Sequence, residues 1–125
     1  MIDHVSIGVA NIEKATTFYE AVLAHLGLQK LIANARTVGF GKNYPEFWLN
    51  HRPQRNRIED DNGDHICLRA KTAAAVDAFF AAGLELGATS DGEPGPRPQY
   101  SSSYYSAFIR DIDGNKIEVV TFIEA

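Results

Sequence analysis

The sequence has one cysteine, Cys67, among 125 residues. A lone thiol excludes an internal disulfide and any multi-cysteine zinc site, and makes a reducing cytoplasm the expected compartment. Basic residues are not in excess: 12 Lys and Arg stand against 16 Asp and Glu, for a net charge of −4. That balance gives no general electrostatic footprint for nucleic acid. No apolar run approaches the roughly 18 residues that a membrane span needs, so no membrane placement is expected. The opening Met1-Ile2-Asp3-His4 lacks a basic segment leading into an apolar core, so no signal peptide is expected. What is present is 45% apolar and 22% charged residues, the balance of a folded chain. The length suits one domain, or two very small halves sharing one core. Four histidines, His4, His25, His51 and His65, are the chemically notable residues.

The chain repeats itself. Asp3-His4 opens the alternating run Val5, Ile7, Val9, and Asp64-His65 opens Ile66, Leu68, Ala70, an offset of 61 residues. Phe18-Tyr19 recurs as Phe79-Phe80 at the same offset, and Leu26-Gly27 recurs as Leu86-Gly87 at 60. Three marks in register indicate two tandem copies of one supersecondary unit. In the first, Ile12, Ala15, Tyr19, Val22, Leu23 and Leu26 form one helical stripe, predicting a helix over residues 11–26 with Asn11 as its cap and Gly27 past its end. The second predicts a helix over 72–86, capped by Thr72 and ended by Gly87. Strands are expected at 29–32, 37–40 and 46–50, then at 88–90, 104–110 and 116–122, the last two joined by a tight turn at Asp113-Gly114-Asn115. The expected architecture is α+β: βαβββ twice, in modules 1–51 and 64–125 of a single domain. Residues 50–64 read as a polar linker. Residues 90–103 hold three prolines, two glycines and four serines and read as a long loop, within which residues 94–100 are a candidate lid.

Alternation along strands decides which side chains share a face. The helices need apolar cover, so they take the faces of Val5, Ile7, Val9 and of Ile66, Leu68, Ala70. That leaves His4 and His65 on the opposite side, and Glu118 joins them if Ile117 and Val119 lie under a helix. Two imidazoles and a carboxylate suit Zn, Mn, Fe(II) or Ni and leave coordination positions open. Hydrogen-bonded histidines at strand ends beside a solvated Glu118 are the alternative.

These residues resemble a known family. Asp3-His4-Val5-Ser6-Ile7-Gly8-Val9, Phe18-Tyr19, Leu26-Gly27-Leu28, Asp64-His65-Ile66 and the stretch from Phe108 to Glu118 are similar to the vicinal oxygen chelate superfamily. That group contains glyoxalase I, bleomycin-binding proteins, fosfomycin-resistance thiol transferases and extradiol dioxygenases. The last stretch matches the family's F-x-x-D-P-D-G-N-x-x-E, with Ile112 where proline is usual. The resemblance implies a curved mixed-sheet cup and a divalent metal held by His4, His65 and Glu118. The fourth family ligand falls on Trp48, whose indole cannot ligate, so true lactoylglutathione lyase activity is disfavoured. The implied chemistry is chelation of adjacent substrate oxygens by the metal, in an enzyme of lyase, isomerase, thiol transferase or dioxygenase type, with Glu118 catalytic as well as ligating.

Around that centre, Ser6 and Trp48 are expected to line the cup, and Arg97 to hold an anionic group of a small substrate. Tyr100, Tyr104 and Tyr105 are expected as hydrogen-bond donors or acid–base groups, Tyr100 as the catalytic candidate and Tyr105 in substrate binding. Cys67 reads as a small buried thiol, His25 as a helix-end residue, and His51 carries no chemistry. A metal-free binding protein of the bleomycin-resistance type is the competing expectation. A homodimer is expected, with or without exchange of modules; exchange would build each cup from His4 of one chain and Glu118 of the other.

Overall fold

The computed structural model describes residues 1–59 and 61–123; residue 60 of the expected linker and the last two residues of the expected second module lie outside them. The first unit is β1 (Val5–Val9), α1 (Ile12–Ala24), β2 (Gln29–Ala33), β3 (Thr37–Gly41) and β4 (Pro45–His51). The second is β5 (Ile66–Arg69), α2 (Ala73–Glu85), β6 (Thr89–Pro96), β7 (Tyr104–Arg110) and β8 (Lys116–Phe122). This is a tandem βαβββ arrangement in the α+β class. Each unit makes its own four-stranded mixed sheet, in the orders β1-β4-β3-β2 and β5-β8-β7-β6. In both, the first strand pairs parallel to the last and the other pairs are antiparallel. No helix among the described residues is long and apolar enough to cross a membrane.

Local sequence explains both helices. Asn11 and Thr72 sit in extended conformation and accept the backbone N–H of Lys14 and Ala75, satisfying an orphan donor at each N-terminus. Both helices are 13 residues long, and both end before a glycine of positive φ, Gly27 and Gly87. Their apolar stripes, Phe18, Tyr19, Val22 and Leu23 in α1 and Val76, Phe79, Phe80 and Gly83 in α2, are buried against the sheets. One continuous core results, drawing Val9, Phe40, Phe47 and Leu49 from the first sheet and Ile109, Ile117 and Val119 from the second.

The stretch expected as a loop over 90–103 is a correction. β6 runs from Thr89 to Pro96, so only residues 97–103 remain as a connection. Prolines are tolerated there because β6 is an edge strand, where an N–H is dispensable. The ladder slips at Gly92 and again between Gly92 and Gly95, which erased the alternation that marks a strand.

The two units are joined at the β7–β8 turn. Buried Asp111 accepts the Tyr19 hydroxyl of α1 at 2.6 Å, the Asn115 amide at 3.0 Å, and the backbone N–H groups of Asp113 and Asn115, each at 2.9 Å. Asn115 also donates to the Gly8 carbonyl at 3.1 Å, and Asp113 accepts from Ala10 N–H at 3.0 Å. Gly114 stands at φ +87, and a Cβ on it would lie 2.4 Å from the Ile58 carbonyl oxygen, so the inter-unit segment closes over this turn only because the residue is glycine. Replacing Tyr19 by Phe removes a fully buried donor to a buried carboxylate. The expected cost is about 1–3 kcal/mol of stability, read from urea unfolding.

Candidate metal centre

The open face of the second sheet is set by register. Cys67 of β5 pairs with Glu118 of β8, and Glu118 pairs with Phe108 of β7. The residues between them, Ile66, Leu68, Ile117 and Val119, belong to the core cluster or pack against it. Glu118 thus emerges on the side away from α2, as alternation predicts. His65, two residues before Cys67, turns its Nε2 to Glu118 Oε1 at 3.0 Å. The carboxylate is only 4% exposed, whereas the imidazole is 41% exposed. The other oxygen, Oε2, accepts the Tyr104 hydroxyl at 2.6 Å. Burial, then the bond to Glu118, pushes the Tyr104 hydroxyl above its ordinary pKa.

Aromatic rings and cations frame this pair. The His65 ring lies 5.9 Å from Phe108, whose face also meets Lys116 Nζ at 5.0 Å and the Arg97 guanidinium at 5.8 Å. Arg69 stacks over Phe122 at 4.7 Å. Lys116 and Arg110 share Asp91, each at 3.2 Å.

The other expected site residues divide. His4 does not join His65 and Glu118 within the chain: it is exposed and bonded to Asp3 at 2.7 Å, and no group of three ligating side chains gathers among the described residues. Ser6 pairs with Trp48 as Cys67 pairs with Glu118, so Trp48 is the first-unit counterpart of Glu118, as the repeat alignment expects. Trp48 lies across Gly39, where a Cβ would come within 2.9 Å of the indole. Arg97 spends its donors on main chain, reaching the Glu93 carbonyl at 2.6 Å and those of Gly95 and Pro96 at 3.4 Å. Tyr100 is exposed and stacks edge-on against Tyr104 at 5.0 Å. Tyr105 lies on the opposite face of β7 and donates to Asp77 of α2 at 2.7 Å, which takes its hydroxyl away from Glu118. Cys67, expected to be buried, is exposed on the open face. Alternation puts Tyr104 on the Glu118 face, but nothing in the sequence shows that its side chain reaches Glu118 across an offset of four residues along β7 from Phe108, which pairs with Glu118.

Partial burial, then the negative charge of Glu118, pushes the Cys67 thiol up to about 12. The thiolate is the reactive form. Metal-free protein at pH 8 should therefore alkylate with iodoacetamide at least about 100-fold more slowly than a free cysteine of ordinary pKa near 8.5. The rate should keep rising through pH 10 instead of levelling near pH 9, as mass spectrometry of the modified chain would show.

The family model of the Glyoxalase/Bleomycin resistance protein/Dioxygenase superfamily matches residues 1–119. The chain belongs to that superfamily. It is 31% identical over 121 residues to the metallothiol transferase FosB of Shouchella clausii, a match covering 96% of this chain and 79% of that protein. A glyoxalase/bleomycin resistance protein from Albidiferax ferrireducens superposes with a TM-score of 0.82 at 32% identity, over 94% of this chain and 96% of the other. The fold alone is shared with a mutant of the fosfomycin resistance protein FosX from Listeria monocytogenes, solved with Mn(II) and 1S,2S-dihydroxypropylphosphonic acid. That match has a TM-score of 0.69 at 16% identity, over 95% of this chain and 87% of that one.

Proposed function

We propose that the protein is a divalent-metal-dependent enzyme of the thiol-transferase type acting on a small, oxygenated, anionic substrate. The observation that carries this reading is the meeting of His65 Nε2 and Glu118 Oε1 at 3.0 Å on a sheet face bordered by Lys116 and Arg97. An imidazole and a carboxylate at that spacing are fitting partners for one borderline metal such as Mn, Fe(II), Ni or Zn. Two donors are too few for a stable site, and the third in this reading is His4 of a second copy, in a dimer whose chains exchange modules. The similarity to FosB, named a metallothiol transferase, supports the metal and the thiol.

A bound ion would be held by His65, Glu118 and the second copy's His4, and would supply Lewis-acid polarisation of a substrate oxygen. Lys116 and Arg97 supply positive potential at the rim for an anionic group. Trp48 occupies the first-unit position equivalent to Glu118 and forms an apolar wall, leaving coordination positions open for substrate. The Tyr104 hydroxyl engages the other oxygen of this nearly buried carboxylate.

A second reading is a binding protein of the bleomycin-resistance type that works without metal. It is favoured by the absence of any group of three ligating side chains among the described residues of a single chain. Metal analysis of protein purified without chelator separates the two. The metalloenzyme reading expects one divalent ion per chain in a dimer. His4→Ala should then lose metal and most turnover of fosfomycin with a low-molecular-weight thiol, followed by phosphorus NMR. Protein that takes up no divalent ion on reconstitution, with a His4→Ala variant of unchanged ligand affinity, would favour the binding protein instead.

A further inference from the structure

The donors to Glu118 are unequal. His65 is 41% exposed and has one ring contact, with Phe108, whereas Tyr104 has two: its ring meets Phe122 edge-on at 5.4 Å and Tyr100 at 5.0 Å. Its hydroxyl reaches Glu118 Oε2 at 2.6 Å, the length of a charge-assisted O–H···O bond. A carboxylate ligand can bind an ion through one oxygen or both. Here one oxygen is already occupied by the Tyr104 hydroxyl, which also interacts with the Cys67 thiol, and the carboxylate is only 4% exposed, so little water can replace that bond.

We infer that Tyr104 is a positioning residue that makes Glu118 a one-oxygen ligand, reserving Oε2 for its own hydroxyl and aiming Oε1 toward His65. This rests on the reading of His65 and Glu118 as metal ligands. The role is distinct from packing, because phenylalanine would fill the same space between Phe122 and Tyr100. It is also distinct from that of Tyr100, which makes ring contact with Tyr104 and stands 60% exposed. Partners of this kind fix the orientation and basicity of a ligand, and their loss typically weakens metal binding 10- to 100-fold.

The test is titration of the metal-free full-length protein with Co(II) alone, following both affinity and the visible absorption of the bound ion, for the unaltered chain, Tyr104→Phe and Glu118→Gln. The expected result is Co(II) binding by the unaltered chain and binding about 10- to 100-fold weaker in Tyr104→Phe. The absorption bands of that variant should also shift in position and intensity as the freed oxygen joins the ion. Glu118→Gln should lose binding more severely. Equal affinity and an identical spectrum in Tyr104→Phe would overturn the inference while leaving the ligand reading intact. Absence of binding by the unaltered chain would overturn both. Should Tyr104→Phe fail to fold by circular dichroism, Phe122→Leu replaces it, since it keeps the hydroxyl but removes its brace at a partly exposed position. Weakened binding in that variant supports the inference, and unchanged binding overturns it.

Discussion

The buried carboxylate of Asp111 is the constraint on which the rest of the molecule depends. A charged group in that position is costly unless its oxygens are fully engaged. Four donors engage them, one from α1 and three from its own turn. Burial still pushes the Asp111 carboxyl above the usual aspartate range, so these bonds offset the cost of desolvation without erasing it. The arrangement fixes the β7–β8 turn, and the turn fixes hairpin register. Register in turn sets Glu118 opposite Phe108 and beside Cys67. The same turn holds Gly8 and Ala10 at the end of β1, so the chemistry-bearing sheet and the first unit are positioned by one polar knot.

Duplication has produced two sheets of one topology with unlike open faces. At the paired positions the second carries Cys67, Glu118 and Phe108, and the first carries Ser6, Trp48 and Gly39. The paired His65 and Glu118 therefore both belong to the second unit. The large indole of the other can lie flat only because its cross-strand neighbour has no side chain.

Much of this is legible in the sequence because the repeat and the alternation are strong signals. The two helix caps lie 61 residues apart, and β7 and β8 occupy the expected spans. His65 and Glu118 meet because a period of two admits only two faces, and burial of Ile117 and Val119 leaves one choice for Glu118. The illegible parts have physical causes. β6 hides behind prolines that only an unpaired edge can carry. Tyr104 and Tyr105 differ by one step of the pleat, so assigning them needs the hairpin register. His4 is the clearest case: a sequence pattern places it on a face, but it precedes the first residue of β1, is exposed and bonds to Asp3.

The asymmetry between the two open faces bears on how such a protein changes over generations. In the second unit, Glu118 is tied to His65 and Tyr104, and each substitution there disturbs several partners at once. In the first, Trp48 and Gly39 bear on each other and on Pro45, so a change at either reshapes the surface while leaving the donors untouched. The two units of one topology thus differ in what a substitution disturbs: a shared network of polar partners in the second, the shape of an open face in the first.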